Sequence, residues 1–223
     1  MTIENQSSIE IQETVRYAYP DTFRSDISSE TAQRVHLFTR GRALTIIDGR
    51  AKVGDISWFD RYKDLLLYHS RVLLTNHMTL NGIDVSISSL GRFEDKIAFV
   101  VGGEYPNHTQ SQVWIEKDTF QPIRMLLKGL PSHPDVGSFE FRYRNWQKFD
   151  GTVYPMNIEF FQDGLLVRRL RVESVTIDPV FSEDLFDMQA LQSRYLPRET
   201  EEKTTEGLDE VQKTIEEFKR RFE

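Results

Sequence analysis

Cysteine is absent from this 223-residue chain. Its absence excludes disulfides, thiolate metal sites and cysteine nucleophiles, so any chemistry must come from other side chains. Long apolar runs are missing as well. The longest, Ile97 to Val101, is far shorter than the roughly 20 residues that a membrane helix needs. The sequence therefore predicts no transmembrane segment, and its start, Met1 to Glu4, lacks the basic and then apolar pattern of a signal peptide.

Basic patches and catalytic motifs are also lacking. The formal net charge of -7 argues against a nucleic-acid partner. No G-x-S-x-G elbow, P-loop or G-x-G-x-x-G pattern follows any predicted strand. The histidines fall on different predicted elements without metal-binding spacing. We therefore expect a non-enzymatic protein with no metal and no cofactor. The five histidines are His36, His69, His77, His108 and His133.

What the chain does contain is turn signals between alternating runs. Asp150-Gly151 and Asp163-Gly164 join the runs 138–146, 153–161 and 165–177. Asp-Gly is a strong hairpin signal, because both central residues of a type I′ turn need positive φ. The three runs predict an antiparallel meander. A parity change along the last run predicts a bulge near Glu173-Ser174.

The rest of the chain up to about residue 187 also reads mostly as strand. Alternation and turn residues predict an opening strand that stops at Pro20, with a second strand directly after it. Asp48-Gly49 closes a further predicted hairpin. We expect one β-rich domain over residues 1–195. The other predicted strands are 9–19, 34–38, 43–47, 83–87, 97–101, 112–116 and 123–127.

One stretch has helical spacing instead. Ser57-x-x-Asp60 resembles a capping box, and the apolar positions that follow recur at spacings of three and four. We predict a helix from Ser57 and a second one over 72–80, ended by Gly82. The positions that define the first helix are Trp58, Phe59, Tyr62, Leu65, Leu66 and His69.

The tail, residues 196–223, differs in composition from the rest. It reads as a charged linker followed by a short amphipathic helix that docks on its own domain or pairs with a second copy. The apolar positions of this helix are Leu208, Val211, Ile215, Phe218 and Phe222.

Three segments carry a resemblance to a known family. They are Tyr19 to Arg24, Val113 to Arg124, and Gly151 to Pro155 together with Val175 to Pro179 and Leu185 to Asp187. In order and spacing they resemble the LolA/LolB-like lipoprotein-sorting superfamily over residues 9 to 187. The resemblance implies an α+β, mostly β fold: a curved antiparallel sheet, or open half-barrel, with helices covering its concave face. The C-terminal helix is an addition.

The resemblance also implies a function. It suggests a carrier of lipid or acylated lipoprotein in the periplasm or at the outer membrane, with an apolar cavity for acyl chains and the helix from Ser57 as its lid. The alternative is a protein-interaction or sensor module that uses the sheet edge or the C-terminal helix. The cavity residues would be Trp58, Phe59, Tyr62, Leu66, Phe139, Phe141, Tyr143, Met156, Ile158 and Phe160.

Two of these features also have a plain structural interpretation. Aromatic residues on one face of a sheet are ordinarily part of the core. The ten positions are therefore either packed core or the lining of a cavity. The arginines of the last strands are either a docking surface for an acidic partner or lipid headgroup, or a solvated face paired with Glu140, Glu159 and Glu173. These arginines are Arg142, Arg144, Arg168, Arg169 and Arg171.

Overall fold

The computed structural model describes residues 9–30, 32–54, 57–129 and 137–195. They fall into two compact units, one with residues 9–54 and 181–195 and one with residues 57–180, apart from the gaps just given. Every strand pairing is antiparallel, so the predicted class, α+β and mostly β, is confirmed. The strands form two sheets, and neither closes on itself among the described residues.

The first unit is a five-stranded meander with a helix packed on it. Its five strands are neighbours in chain order. Asp187 caps the helix, α3 (Met188–Tyr195), by accepting hydrogen bonds from the backbone N–H groups of Gln189 (2.9 Å) and Ala190 (3.0 Å). Met188 and Leu191 of this helix pack on Leu37, Leu44 and Ile46. The sequence patterns above do not predict α3. The elements are β1 (Gln12–Ala18), β2 (Thr22–Ser28), β3 (Gln33–Thr39), β4 (Arg42–Ile47), β5 (Arg50–Val53) and α3 (Met188–Tyr195).

The second unit begins with helices and continues as a seven-stranded meander. A 3-10 helix runs directly into a short α-helix, and a second α-helix follows after a short break. Consecutive strands pair from the first at one edge to the last at the other. The elements are the 3-10 helix (Trp58–Lys63), α1 (Asp64–Leu67), α2 (Arg71–Leu80), β6 (Ser88–Phe93), β7 (Lys96–Val101), β8 (Gln112–Glu116), β9 (Pro122–Lys128), β10 (Ser138–Phe149), β11 (Thr152–Gln162) and β12 (Leu165–Arg171).

The Asp-Gly turns lie where the sequence predicts them. Asp163 and Gly164, between β11 and β12, have φ values of 50° and 83°, and Asp150 and Gly151 have 34° and 89°. Both residues of each pair are left-handed, as a type I′ hairpin requires. Gly82, at φ 75°, follows the end of α2 as predicted.

Two local predictions are wrong. Residues 83–87 form no strand, because the Asp84 carboxylate accepts hydrogen bonds from the N–H (3.0 Å) and hydroxyl (2.6 Å) of Ser86. The last strand ends at Arg171, and its register shift lies opposite Phe160 and Phe161 instead of near residues 173–174. The helix predicted from Ser57 is present and Ser57 caps it, although it opens as a 3-10 helix.

The seven-stranded sheet has two different faces. Directly paired residues point to the same side of a sheet, so the strand register defines which residues share a face. We call the face that carries Phe139, Phe141 and Phe160 the aromatic face, and the opposite one the charged face. One row of the aromatic face crosses all seven strands: Ser88, Val101, Val113, Met125, Phe141, Phe160 and Arg168.

Candidate functional site

The 3-10 helix covers the aromatic face at β10 and β11. Trp58 stacks on Phe139 with ring centroids 5.7 Å apart, and Phe59 meets the same ring edge-on at 5.1 Å. Tyr62 packs edge-on against Phe160 at 5.3 Å. These distances are those of favourable aromatic pairs. The segment 58–67 therefore lies on the sheet through a layer of rings.

The ten residues predicted to line a cavity belong to this layer or adjoin it. Eight are buried, while Trp58 and Met156 are half-buried. Six of the ten pack ring against ring, as in a hydrophobic core: Trp58, Phe59, Tyr62, Phe139, Phe141 and Phe160. A ligand among them would have to displace the segment. The structure thus brings the predicted positions together, and their role in binding stays a prediction. The buried eight are Phe59, Tyr62, Leu66, Phe139, Phe141, Tyr143, Ile158 and Phe160.

A hydrogen bond ties the segment to the sheet. The Tyr143 hydroxyl of β10 donates to the backbone carbonyl of Tyr62 over 2.9 Å. Burial, with smaller contributions from Asp64 and Tyr154, raises the pKa of Tyr143 well above its ordinary value. The hydroxyl is therefore a neutral donor across the physiological pH range.

A buried polar network joins the start of α1 to the end of α2. The Lys63 ammonium, which has no exposed surface, donates to the Asp64 carboxylate and to the carbonyl of Asp60, each over 3.1 Å. Asn81 donates to the second Asp64 oxygen over 3.0 Å and accepts from Arg61. This network has no counterpart among the sequence predictions. Its only signal is the charged run Asp60 to Asp64 inside an otherwise apolar segment.

His77 of α2 lies beside the network. Its ring stacks on Tyr68 with centroids 3.8 Å apart. Burial lowers the pKa of His77 more than any other influence does. Asp64 acts against this effect, while Lys63 and Arg61 add to it. His77 is therefore neutral at pH 7, which suits a stacked, half-buried ring.

The aromatic face continues to an exposed end at β6 and β7, which the sequence analysis also missed. Leu90 and Phe99 are cross-strand partners, and Phe120 stacks on Phe99 with centroids 6.1 Å apart. Ile97 lies two residues from Phe99 on the same face. Their exposed fractions are 58% for Leu90, 36% for Phe99, 71% for Phe120 and 46% for Ile97. We call these four residues the exposed apolar strip.

The charged face carries cross-strand ion pairs. Glu159 accepts from Arg144 (2.8 Å) and Arg169 (3.1 Å), and Glu140 accepts from Arg124 (2.8 Å). The arginines of the last strands are thus paired, as in the second alternative, but Arg124 and Glu159 are buried instead of solvated. Arg168 is the exception, because its register places it on the aromatic face, 4.9 Å from the centre of the Phe160 ring.

A small pocket lies in the five-stranded unit. Its volume is about 190 Å³, and charged and polar groups contribute to its lining. Arg24 is already engaged there, by the Asp26 carboxylate and by the Leu185 carbonyl. A lining of this kind does not suit an acyl chain. The lining residues are Arg24, Ser182, Asp184, Leu185, Ala190, Leu191 and Arg194.

Comparison with solved structures identifies the fold. A crystal structure described as an outer membrane lipoprotein-sorting protein domain, from Vibrio parahaemolyticus, superposes with a TM-score of 0.52. The two sequences are 10% identical, and the match covers 82% of this chain and 83% of the other. The chain has a LolA-like fold. This fold is the one implied by the three sequence segments, so the resemblance is confirmed at that level.

The other comparisons add nothing to the assignment of the fold. A LolA superfamily protein from Nitrosomonas europaea matches with a TM-score of 0.44 at 10% identity, over 78% of this chain and 83% of that one. No protein-family model and no curated protein matches the sequence. In the part of the chain that the structure describes, no group of three or more potential ligand side chains is arranged to hold a metal ion. No helix in the described ranges has the length and apolar character needed to cross a bilayer.

Proposed function

We propose that this protein is a non-enzymatic carrier that binds acyl chains of a lipid or lipoprotein on the aromatic face of its seven-stranded sheet, for sorting to the outer membrane. The observation that carries the proposal is the ring layer between segment 58–67 and β10–β11, in a fold shared with a domain described as lipoprotein-sorting. On this proposal residues 1–195 form the carrier domain, and residues 196–223 are an appended linker and helix.

The ring layer fits a site that opens to admit its ligand. The segment consists of a 3-10 helix of six residues and an α-helix of four, so few backbone hydrogen bonds hold it together. Lifting it uncovers apolar rings on both sides. Burying one methylene group contributes about 0.8 kcal/mol, and a sixteen-carbon chain contributes on the order of 10 kcal/mol before ordering costs. Such a ligand would offset the lost ring contacts.

The proposal includes a location. A carrier of acylated cargo works in the periplasm or at the outer membrane, where such cargo has to cross an aqueous space. Two observations support this location: the fold is similar to that of the solved domain, and that domain is described as an outer membrane lipoprotein-sorting domain. The ten residues predicted from the sequence are its proposed ligand contacts, with Trp58 as the half-buried ring at the margin of the layer.

Tryptophan fluorescence tests the proposal. Palmitate should displace a fluorescent fatty acid with saturable binding, and the complex should survive in native mass spectrometry. Trp58 stacks on Phe139, so ligand binding should change its emission. Trp58→Phe should lose this change, while Trp114→Phe, the matched control on the opposite face of the sheet, should keep it. Absence of saturable binding, or binding with unchanged Trp58 emission, contradicts the proposal.

A second candidate function has its own observation. Strand β12 is an edge of its sheet, and it exposes Leu165 (72%), Leu166 (42%) and Val167 (43%). Exposed apolar residues on an edge strand suit pairing with another chain. In this interaction module, Val167→Lys or deletion of residues 206–223 should abolish self-association in analytical ultracentrifugation and leave palmitate binding intact. If both variants sediment like the wild type, this candidate is wrong.

A further inference from the structure

Two cations lie on the aromatic face beside the exposed apolar strip. Arg92 of β6 is the cross-strand partner of Ile97, so both side chains are on the same face. The backbone N–H of Lys117 donates to the Ile97 carbonyl over 3.0 Å, and it continues the register in which Phe99 faces Ile115. Arg92 and Lys117 therefore flank Ile97 from both sides.

These cations are largely uncompensated. Among the residues that the structure describes, Arg92 forms no ion pair. Lys117 pairs with Asp118 over 3.2 Å, but both side chains are exposed, at 44% and 76%. Exposed pairs of this kind contribute little and exchange readily. Glu116 is paired with Ala98 and thus lies on the charged face.

The remaining acidic groups nearby are engaged or lie in the turn. Glu94 accepts two hydrogen bonds from Arg144, and that interaction, with smaller contributions from Arg142 and Lys96, lowers the pKa of Glu94 despite partial desolvation. Asp95 belongs to the exposed turn between β6 and β7. The end of the aromatic face at Ile97 thus presents two cations, Arg92 and Lys117, beside apolar side chains, with Asp95 and Asp118 in the adjoining turns.

We infer that the ligand of this face is a single acyl chain that ends in an anion. Its head group binds Arg92 and Lys117, and its tail runs over the exposed apolar strip toward the ring layer. This inference rests on the proposed function and names the ligand class for the same face. Guanidinium and ammonium groups donate charge-assisted hydrogen bonds to a carboxylate or a phosphate, whereas a neutral head group gains little from them.

The dimensions of the sheet agree with this arrangement. Strands are spaced about 4.8 Å apart, so the path from β6 to the rings on β10, four spacings away, covers roughly 19 Å across the sheet. That span is comparable with the length of an extended long-chain fatty acid. Side chains of Val113 and Met125, between the exposed strip and Phe141, are buried and apolar. The face is thus apolar from the strip to the rings.

Matched amphiphiles test the inference. Dissociation constants should be measured by probe displacement for dodecanoate, dodecyl phosphate and 1-dodecanol with the full chain. Both anions should bind about fivefold more tightly than the alcohol, as expected for exposed charge contacts, and the preference should shrink at high salt. Arg92→Gln and Lys117→Gln should each remove most of it. Lys96→Gln is the matched control, since Lys96 pairs with Phe93 and lies on the charged face.

The outcomes separate the two proposals. Equal binding of anions and alcohol, or an unchanged preference in Arg92→Gln and Lys117→Gln, overturns the anion inference and leaves the carrier proposal standing. Failure of all three amphiphiles to bind overturns both. Tighter binding to phosphatidylglycerol vesicles than to any monomeric amphiphile, with loss in Arg92→Gln, also overturns the inference, because the cations would then serve a membrane surface.

Discussion

The Tyr143 hydroxyl donates a 2.9 Å hydrogen bond to the backbone carbonyl of Tyr62. The bond joins the middle of β10 to a 3-10 helix 81 residues away in sequence. Both residues are buried, so the carbonyl has no access to solvent if the hydroxyl is removed. This contact gives the segment 58–67 a fixed position on the aromatic face.

Tyr143→Phe should lower the free energy of unfolding by about 1–2 kcal/mol, because the Tyr62 carbonyl loses its buried donor. Urea denaturation at pH 7 measures the change. Tyr105→Phe, at a residue that is 44% exposed, should stay within about 0.5 kcal/mol. If both substitutions change the free energy of unfolding by a similar amount, the buried hydrogen bond contributes no more to stability than an exposed hydroxyl does.

The same tyrosine predicts a pH dependence. Its pKa in the folded protein is raised above the ordinary value of 10.0, so the folded state holds the proton more tightly than the unfolded state. The resulting stability is fully present below pH 10 and is lost as the pH rises through the folded pKa. Relative to Tyr143→Phe, the wild type should lose about 1.4 kcal/mol per pH unit above pH 10. If the free energies of unfolding of the wild type and of Tyr143→Phe, measured by urea denaturation, change in parallel between pH 9 and 11, this prediction is wrong.

Two sequence-adjacent Lys–Asp pairs allow a matched test of burial. Lys63–Asp64 (3.1 Å) is buried, and Lys117–Asp118 (3.2 Å) is exposed. Lys63→Met should cost about 3–5 kcal/mol of unfolding free energy, because it removes the cation that is hydrogen-bonded to the buried Asp64 carboxylate. Lys117→Met should cost less than about 1 kcal/mol. Chemical denaturation measures the change in unfolding free energy for both variants. Equal changes would show that the buried network does not stabilise the contact between α1 and α2.

Glu140 should matter at neutral pH and less in acid. Burial opposes its ionisation, but hydrogen bonds and charges from Arg124 and Arg142 lower the pKa of Glu140 below its ordinary 4.5. Its stabilisation is therefore present above pH 4.5 and lost as the pH falls through the folded pKa. Glu140→Gln should cost about 3 kcal/mol at pH 7 in urea denaturation, and progressively less below pH 4.

Glu94→Gln is the control for this substitution. Glu94 also pairs with an arginine, but its side chain is 47% exposed. Its replacement should cost less than about 1 kcal/mol at pH 7. A cost for Glu140→Gln that does not change with pH would indicate lost packing instead of a lost charge interaction.

Gly91 lies against two aromatic rings on the charged face of the sheet. A Cβ atom at this position would lie 2.8 Å from both Trp114 Cζ3 and Tyr105 Cδ2. Gly91→Ala should therefore destabilise the protein by about 1–3 kcal/mol through overpacking. Ser88→Ala, at an exposed residue of the same strand, should have almost no effect. Thermal unfolding compares the two. An unaffected Gly91→Ala variant would show that the rings move aside freely.

Sequence patterns predict the strands better than the site. Alternation and Asp-Gly turns are local signals, and β8 matches its predicted range of 112–116. The strand predicted at 83–87 fails because Asp84 forms a local turn with Ser86 that alternation does not reveal. The meeting of segment 58–67 with β10 and β11 depends on long-range packing, and helical spacing shows only that one side of the segment is apolar.

The polar parts of the site were less predictable. Lys63 and Asp64 read as surface charges, because charged residues are seldom fully buried. Only the fold shows that Asn81, at the end of α2, completes their hydrogen bonding. By sequence, Arg168 belongs to the same group as Arg169 and Arg171. The register shift opposite Phe160 and Phe161 instead places Arg168 on the aromatic face.

Strand β12 has a consequence for the protein in concentrated solution. Two copies meeting in antiparallel fashion along this strand, centred on Arg168, would bring identical guanidinium groups together, with Arg169 and Arg171 close by. Exposed Leu165, Leu166 and Val167 would otherwise favour stacking into fibrils. Arg168 therefore disfavours this one register of pairing between copies, and high salt or polyanions should weaken its effect.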